Sequence, residues 1–499
     1  MVNFILSVLP IVWLVIALCF LHMEGWKACG LTAVVSAICA VLHFGMKGGE
    51  LVSAVGEGIL NALWPICIVI IAALFVYQLT LKTGAMEIIK KMLSGVSSDR
   101  MMILLLIGWG FGNFLEGMAG FGTAVAIPAG ILVAMGYDPI PTVVACLVVN
   151  STPTAFGSVG VPTSTVAGIT GLNAVAISGK IAVMQTVLTF ISPFFMVLIA
   201  GGKDALKKSF GNALLAAVSF VVPQFISAMF IGPEMPNIIG SVVCMLVLVA
   251  VSVRKKKKAG HTGALQGISV NEALTAWSPF LLIFVILLFT SSIFPFLHQP
   301  LAAVSSSLTL YTGKDPATLH FAWLDCPGVK ICLAGIIGGR IQKAGWKEIG
   351  GVFAKTVKDN VKTIFTICSV LASARIMSYS GMITAIAVML VAWTGALYPL
   401  FSPLIGMIGG FVTGSGTSTA VLFGSLQQEA AEAVKVDPVW LVAANMAGGG
   451  IGKMISPQNI AVGCAASGLS GKESKVLSKT FPYAFLFIVI AGILCMLGA

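Results

Sequence analysis

The sequence predicts an all-α polytopic membrane protein with roughly 12–14 transmembrane helices and two inverted repeats containing broken or re-entrant helices. Three observations carry that fold class. The first is composition. Hydrophobic residues make up 58% and charged residues 9% of the 499 residues, and mean hydropathy is +1.02, where a soluble domain carries roughly 25% charge. Apolar runs near twenty residues recur at 4–21, 60–80, 181–199, 235–253, 275–292 and 480–498, each long enough to cross about 30 Å of hydrocarbon. The second is a pattern that occurs twice. Gly120-Phe121-Gly122-Thr123, Asp138-Pro139 and Asn150 are followed by Gly157, Pro162 and Gly168. Gly414-Ser415-Gly416-Thr417, Asp437-Pro438 and Asn445 are followed by Gly452, Pro457 and Gly463. Counted from either asparagine, the last three fall at +7, +12 and +18. The third is charge placement. Of 29 Lys and Arg, 21 fall in five short connections: 82–100, 203–208, 254–258, 340–362 and 472–479.

Along the chain, residues 1–57 are expected to hold the N-terminal transmembrane helices. The first hydrophobic segment has no basic start and no clear small-residue cleavage site, so it reads as a retained helix. Residues 58–200 form the first repeat. Residues 201–359 supply scaffold helices, a basic cytoplasmic loop around Arg254–Lys258 and an external loop at 293–327. Residues 360–499 form the second repeat and the C-terminal helix. Placing the five basic connections in the cytoplasm, as the positive-inside rule requires, leaves both termini and the acidic Gln427–Asp437 connection outside. On that path the segment holding Asn150 runs outward and the one holding Asn445 runs inward, so the repeats are inverted. Matched Gly, Pro and small polar residues in two halves of a hydrophobic chain point to a transporter's binding site.

The motif residues have distinct physical uses. Gly120, Gly122, Gly414 and Gly416 allow unusual backbone geometry and close approach. Ser456 before Pro457 reads as an N-cap with proline at the first helical position. Pro162-Thr163-Ser164-Thr165 and Ser456-Pro457-Gln458-Asn459 are thus expected to start half-helices inside the membrane. Such starts present free N–H groups and partial positive charge, which suit an anion.

Three ionisable residues lie deep in apolar segments: Glu116, Arg375 and Lys453. A charge at mid-membrane costs at least ~2.5–3.5 kcal/mol on insertion scales, so each asks for a reason. Arg375 offers a fork that matches a carboxylate, Lys453 a point charge inside the second motif, and Glu116 a proton carrier beside the first. The alternative is a structural pair, Glu116 with Arg375 or with Lys453, that only neutralises buried charge.

Other chemistries find little support. Gly448–Met454 superficially matches a phosphate loop, but Ala447 stands where its first glycine belongs and Met454 where its Ser or Thr belongs. The five histidines (22, 43, 261, 298, 320) cluster nowhere, and the eleven cysteines, Cys19 among them, are scattered singly. No metal, cofactor, nucleic-acid partner or enzyme activity is expected. A cation-driven secondary transporter of a small anion and a passive channel or exporter for a similar solute both stay open.

The run Gly112-Asn113-Phe114-Leu115-Glu116-Gly117-Met118-Ala119-Gly120-Phe121-Gly122-Thr123, continued by Ala126-Ile127-Pro128, resembles the lactate permease family, the bacterial L-lactate and glycolate:proton symporters. Asn150-Ser151-Thr152-Pro153-Thr154-Ala155-Phe156-Gly157, Gly160-Val161-Pro162, Ala276-Trp277-Ser278-Pro279-Phe280, Ser378-Tyr379-Ser380-Gly381-Met382 and Ser456-Pro457-Gln458-Asn459 extend the similarity over most of the chain. The resemblance implies symport of a short 2-hydroxymonocarboxylate with a proton across a bacterial inner membrane. L-lactate, D-lactate, glycolate and the oligomeric state, a homodimer included, stay open. Joined to the residue reading, it places the anion between the half-helix starts near Thr163 and Gln458. Its carboxylate would sit on Arg375 or Lys453, its hydroxyl would meet Asn150, Thr154 or Asn459, Gly122 and Gly416 would allow the close approach, and Glu116 would carry the proton.

Overall fold

The fold is almost wholly helical. The computed structural model describes all residues except 1, 18–20, 22, 119, 121, 259–267, 291–293, 315, 317, 470 and 471. Cys19, His22, Ala119, Phe121 and His261, named above, therefore lie outside the described residues.

Helices α1 (Val2–Val15), α2 (Gly25–Leu42) and α3 (Gly48–Asn61) open the chain, and a π-helical stretch at Ala62–Cys67 leads into α4 (Ile68–Lys82). That stretch is kinked at Trp64, whose backbone is extended (φ −133°, ψ 122°). Helix α5 (Ala85–Gly95) follows a left-handed Gly84 (φ 75°). Next come α6 (Arg100–Leu104), a π-helical stretch at Leu105–Phe111, α7 (Gly112–Met118) and α8 (Thr123–Ala134). The chain reverses between α7 and α8, with Gly120 and Gly122 left-handed (φ 61° and 80°). Both ends of this hairpin meet: Arg100 Nη2 donates to the Gly136 carbonyl at 2.8 Å and Tyr137 Oη donates to the Arg100 carbonyl at 2.5 Å. It enters and leaves on one side.

Helices α9 (Pro139–Val149) and α10 (Gly157–Thr170) flank a 3-10 turn at Thr152–Phe156 and bend by 51° at the break. Helix α11 (Ala174–Phe230) counts 57 residues and is interrupted at Gly202 (φ 78°, ψ −178°). At 1.5 Å per residue it measures about 85 Å, so it crosses twice, with Lys203, Lys207 and Lys208 at the bend. On its second half Val218, Val222 and Ile226 are 44–52% exposed at a spacing of four. Such a stripe suits lipid rather than water.

Helices α12 (Pro236–Lys258), α13 (Val270–Phe289) and α14 (Pro295–Ala303) precede an antiparallel hairpin of β1 (Ser305–Thr309) and β2 (Thr318–Ala322), in which Ser307 pairs with His320. Helices α15 (Pro327–Ile341), α16 (Trp346–Asp359), α17 (Val361–Tyr379) and α18 (Met382–Thr394) come next, and α18 again follows a left-handed glycine, Gly381 (φ 81°). After a 3-10 turn, Gly395–Leu397, helices α19 (Tyr398–Thr413) and α20 (Gly416–Val434) form a second hairpin that turns at Gly414 (φ 64°) and Ser415. Near its base Tyr398 Oη and Ser402 Oγ donate to Gln427 Oε1 at 3.1 and 2.8 Å. Helices α21 (Pro438–Lys453), α22 (Pro457–Ala466) and α23 (Glu473–Leu497) complete the chain.

Among the described residues nine helices are long and apolar enough to cross a membrane, ten if the bent α9–α10 pair counts as one span. Nine is a count of helices rather than of crossings, since α11, broken at Gly202, counts once although it is long enough to cross twice.

The tightest packing joins α19 to α21 through glycine. A Cβ at Gly406, Gly410, Gly448 or Gly452 would lie 2.1, 2.0, 1.8 or 2.0 Å from a backbone oxygen of the opposite helix. Small residues that let two backbones meet are what holds membrane helices together where lipid competes equally for apolar side chains. Gly452, one of the matched motif glycines, is thus a packing residue, as are Gly335 against Val76 and Gly492 against Leu400.

Candidate substrate site

Both broken segments begin alike and end differently. Asp138 caps α9 by accepting from Ile140 N at 3.3 Å, and Asp437 caps α21 by accepting from Val439 N at 3.0 Å. Helix α9 stops at Asn150. Helix α21 runs through its matching Asn445 to Lys453, so the first break is long and the second short. In the first, Ser158 and Val159 are left-handed (φ 44° and 57°), an outlying conformation for a β-branched residue and one that marks stored strain. Right-handed helix resumes after Gly160, and Thr163 Oγ1 closes the break onto the Ala155 carbonyl at 2.7 Å. In the second, Ser456 has the extended N-cap backbone (φ −62°, ψ 131°) and Pro457 the first helical position, as expected; the Ser456 side chain, however, makes no capping bond.

The two hairpin tips meet the two breaks. A Cβ at Gly416 would lie 2.9 Å from Thr154 Cγ2 and 3.4 Å from Pro162, and one at Gly122 would lie 3.2 Å from Val462 and 3.7 Å from Asn459 Oδ1. Asn459 Nδ2 donates to the Gly414 carbonyl at 3.0 Å. At this junction lies a buried ion pair, Lys453 Nζ to Glu116 Oε1 at 2.6 Å, with side chains 5% and 3% exposed. The second carboxylate oxygen accepts from Asn150 Nδ2 at 3.0 Å, and Thr154 Oγ1 donates to the Asn150 carbonyl at 2.9 Å. Gly157 makes room for the carboxylate, since a Cβ there would lie 2.6 Å from Glu116 Oε1. A cavity of about 30 Å³ remains, lined by Glu116, Thr154, Ser158, Gly416, Thr417 and Lys453 among others. That holds water but not a three-carbon acid.

Glu116, Lys453, Asn150, Thr154, Thr163, Asn459, Gly122 and Gly416 therefore gather at one junction. Gln458 lies beside it on an exposed face of α22, 3.0 Å from where a Gly414 Cβ would stand. Of the two pairings open for Glu116, the structure has the one with Lys453. Arg375 does not join the group. Its Nε lies 3.0 Å from Glu57 Oε1, with side chains 8% and 0% exposed. Tyr379 Oη also donates to Glu57, at 2.8 and 2.9 Å to its two oxygens, and stacks on Tyr311 with ring centroids 3.6 Å apart. Of the two expected carboxylate partners, Arg375 or Lys453, only Lys453 lies at the junction; the Arg375 guanidinium faces the buried Glu57 carboxylate. Glu57 is a fourth buried charge that the sequence reading does not single out, although a glutamate among Leu51, Val52, Val55, Ile59 and Leu60 is signal enough.

Two helical hairpins and two broken helices thus meet at a buried ion pair in an all-α chain with nine or more membrane-length apolar helices among the described residues. The profile of the L-lactate permease family matches residues 3–499. Relatives include an L-lactate permease of Streptococcus iniae, 41% identical over 89% of this chain and 94% of its own length. The glycolate permease GlcA and the L-lactate permease of Escherichia coli K12 are 35% and 34% identical, each match covering 99% of this chain and 95% of the relative. The chain belongs to the L-lactate permease family and is a multi-pass protein of the bacterial inner membrane. Among solved structures, Neisseria gonorrhoeae MtrF, described as illuminating a class of antimetabolite efflux pumps, shares the fold with a TM-score of 0.51 over 97% of this chain and 96% of its own, at 16% identity.

Proposed function

We propose that this protein imports L-lactate, with D-lactate or glycolate as related substrates, by proton symport, and that Glu116 and Lys453 perform the coupling. The observation that carries this reading is the buried 2.6 Å pair at the meeting point of both breaks and both hairpin tips. Empty, the site is neutral: one carboxylate against one ammonium. A proton on Glu116 together with a carboxylate on Lys453 leaves it neutral again. Either ligand alone leaves one buried charge uncompensated. Removing one partner of a buried pair costs about 3–5 kcal/mol, roughly two to nearly four decades in population, so half-loaded carriers are suppressed. Coupling then follows from desolvation and needs no separate gate.

The substrate hydroxyl has Asn150, Thr154 and Asn459 within the same junction, and Asn150 already holds the oxygen of Glu116 that Lys453 leaves. We assign 58–200 and 360–499 to two inverted units. On the charge-derived sidedness the first hairpin, tied at Arg100 and Gly136, opens to the cytoplasm. The second, with Tyr398 and Gln427 near its base and the Lys180–Asp437 pair beyond it, opens outward.

Reconstituted protein tests this directly. With an inward proton gradient, radiolabelled L-lactate should accumulate above equilibrium, and a protonophore should abolish the accumulation. Equilibration that ignores the protonophore would favour the channel reading, and an absence of uptake would sink the substrate assignment.

A further inference from the structure

Three cavities are lined in turn by the α11–α12 connection and by the break that leads into α10. The outermost, about 300 Å³, lies under the α14–β-hairpin loop and is lined by Trp64, Glu234, His298, His320, Asp325 and Lys330 among others. The next, about 130 Å³, is lined by Val159, Val161, Ser164, Thr165 and again Glu234. The third is the small cavity at Glu116, lined by Ser158 and Pro162, which alternate along the same break with Val159 and Val161 of the middle cavity. Glu234 is the acidic side chain common to the first two. It stands in the short connection between α11 and α12, and that connection packs onto the break itself. A Cβ at Gly160 would lie 2.4 Å from the Pro233 carbonyl oxygen and 2.8 Å from Glu234 N. In the middle cavity the Thr165 hydroxyl is buried and finds no hydrogen-bond partner among the described residues, which makes it a ready contact for water.

We propose that Glu234 is the external proton-loading group of this transporter: it takes a proton from water in the outer cavity and passes it through the middle cavity to Glu116. The inference rests on the proton-symport reading above. Hydronium in the outer cavity gives its proton to the Glu234 carboxylate, leaving water and a neutral carboxyl. Glu234 then releases that proton to water beside Ser164 and Thr165, returns to carboxylate, and the proton ends on Glu116, which lets go of Lys453.

The charges facing Glu234 suit this task. Lys330 (8% exposed) pairs with Asp325 at 2.6 Å, and His298 Nδ1 lies 3.5 Å from the same Asp325 oxygen. His320 and Cys326 complete the titratable groups of that cavity. Burial pushes the Glu234 carboxyl above its ordinary range; Lys330 and His298 oppose this and Asp325 adds to it. With a lysine already committed to Asp325, the cluster is a poor anion site and a fair proton acceptor.

The test uses right-side-out membrane vesicles at fixed internal pH, following L-lactate-dependent proton entry, uptake against external pH, and lactate–lactate exchange at equal pH. Glu234→Gln should reduce proton-driven uptake on the order of tenfold or more while exchange continues. Asp325→Asn should move the external-pH midpoint of uptake down by about one unit and Lys330→Gln should move it up by about as much. A purely structural role would not give opposite signs. Unchanged uptake and midpoint in Glu234→Gln, or Asp325→Asn and Lys330→Gln shifts of one sign, overturn the assignment. If Glu234→Gln also loses exchange, the two opposite shifts decide. Wild-type uptake without lactate-dependent proton entry would instead overturn the symport reading, and this proposal with it.

Discussion

At the scale of single residues, Glu116 and Lys453 should separate by assay. Glu116→Gln keeps the shape and one acceptor but cannot cycle a proton. It should retain lactate–lactate exchange and lose accumulation, its uptake ratio falling to about one whatever gradient is imposed, because only the gradient term is removed. Normal accumulation would remove Glu116 as carrier. Lys453→Ala should lose binding and exchange together, measured by substrate-dependent thermal shift. Arg375→Ala now carries a different expectation from the one its sequence position suggested. It leaves Glu57 buried without its cation, which costs about 3–5 kcal/mol of stability, yet the folded fraction should bind L-lactate with wild-type affinity. Glu57→Gln with Arg375→Met should recover much of the lost stability, as read by melting in detergent. Loss of binding in a stable Arg375 variant would return that residue to the site. The identity of the three buried charges was legible in the sequence, because each interrupts an apolar run. Their pairing was not, since Glu57 meets Arg375 across more than half the chain and no local period reports such a contact.

At the scale of elements, the matched spacing located both breaks but overstated their likeness. Asp138-Pro139 and Asp437-Pro438 start helices in the same way, yet Asn150 ends its helix while Asn445 sits inside one. Offsets between glycines and prolines mark where a helix can break, whereas tertiary packing decides where it does. Here α21 is held helical as far as Lys453 by its glycine contact with α19. That contact makes a sharp prediction. Gly448→Ala would place a methyl where the Pro403 carbonyl oxygen lies, 1.8 Å away, and Gly410→Ala would do the same against Gly449, 2.0 Å away. Neither neighbour is a flexible side chain, so both variants should fail to yield folded monodisperse protein or should melt far below wild type in detergent. Gly211→Ala meets nothing within 4 Å and should gain roughly 0.5–1 kcal/mol from helix propensity alone. Equal melting of Gly448→Ala and Gly211→Ala would show that the α19–α21 contact is looser than these distances require.

At the scale of the whole molecule, what matters is which side each half-helix faces. On the sidedness proposed from the positive-inside distribution, α10 runs toward the outside and α22 toward the cytoplasm, and each carries a polar side chain that a labelling reagent can test. Ser164 lines the cavity that also borders Glu234 and Pro327, and Gln458 is exposed on α22. An exposed glutamine beside a mid-membrane break is costly against hydrocarbon and acceptable against a watery access path. Between them lies only the closed junction of Glu116 and Lys453, with room for water. The two sides should therefore label oppositely. Ser164→Cys should react with a membrane-impermeant maleimide from outside, and Gln458→Cys from the cytoplasmic face of inverted vesicles. L-lactate at acid pH should change the two rates in opposite directions, because a carrier that opens one path closes the other. In a passive pore both cysteines would label together and substrate would slow both. Labelling of both from one face would place the half-helices on the same side of the membrane and dissolve the inverted arrangement, whereas opposite faces with reciprocal rates would establish alternating access about the Glu116–Lys453 pair.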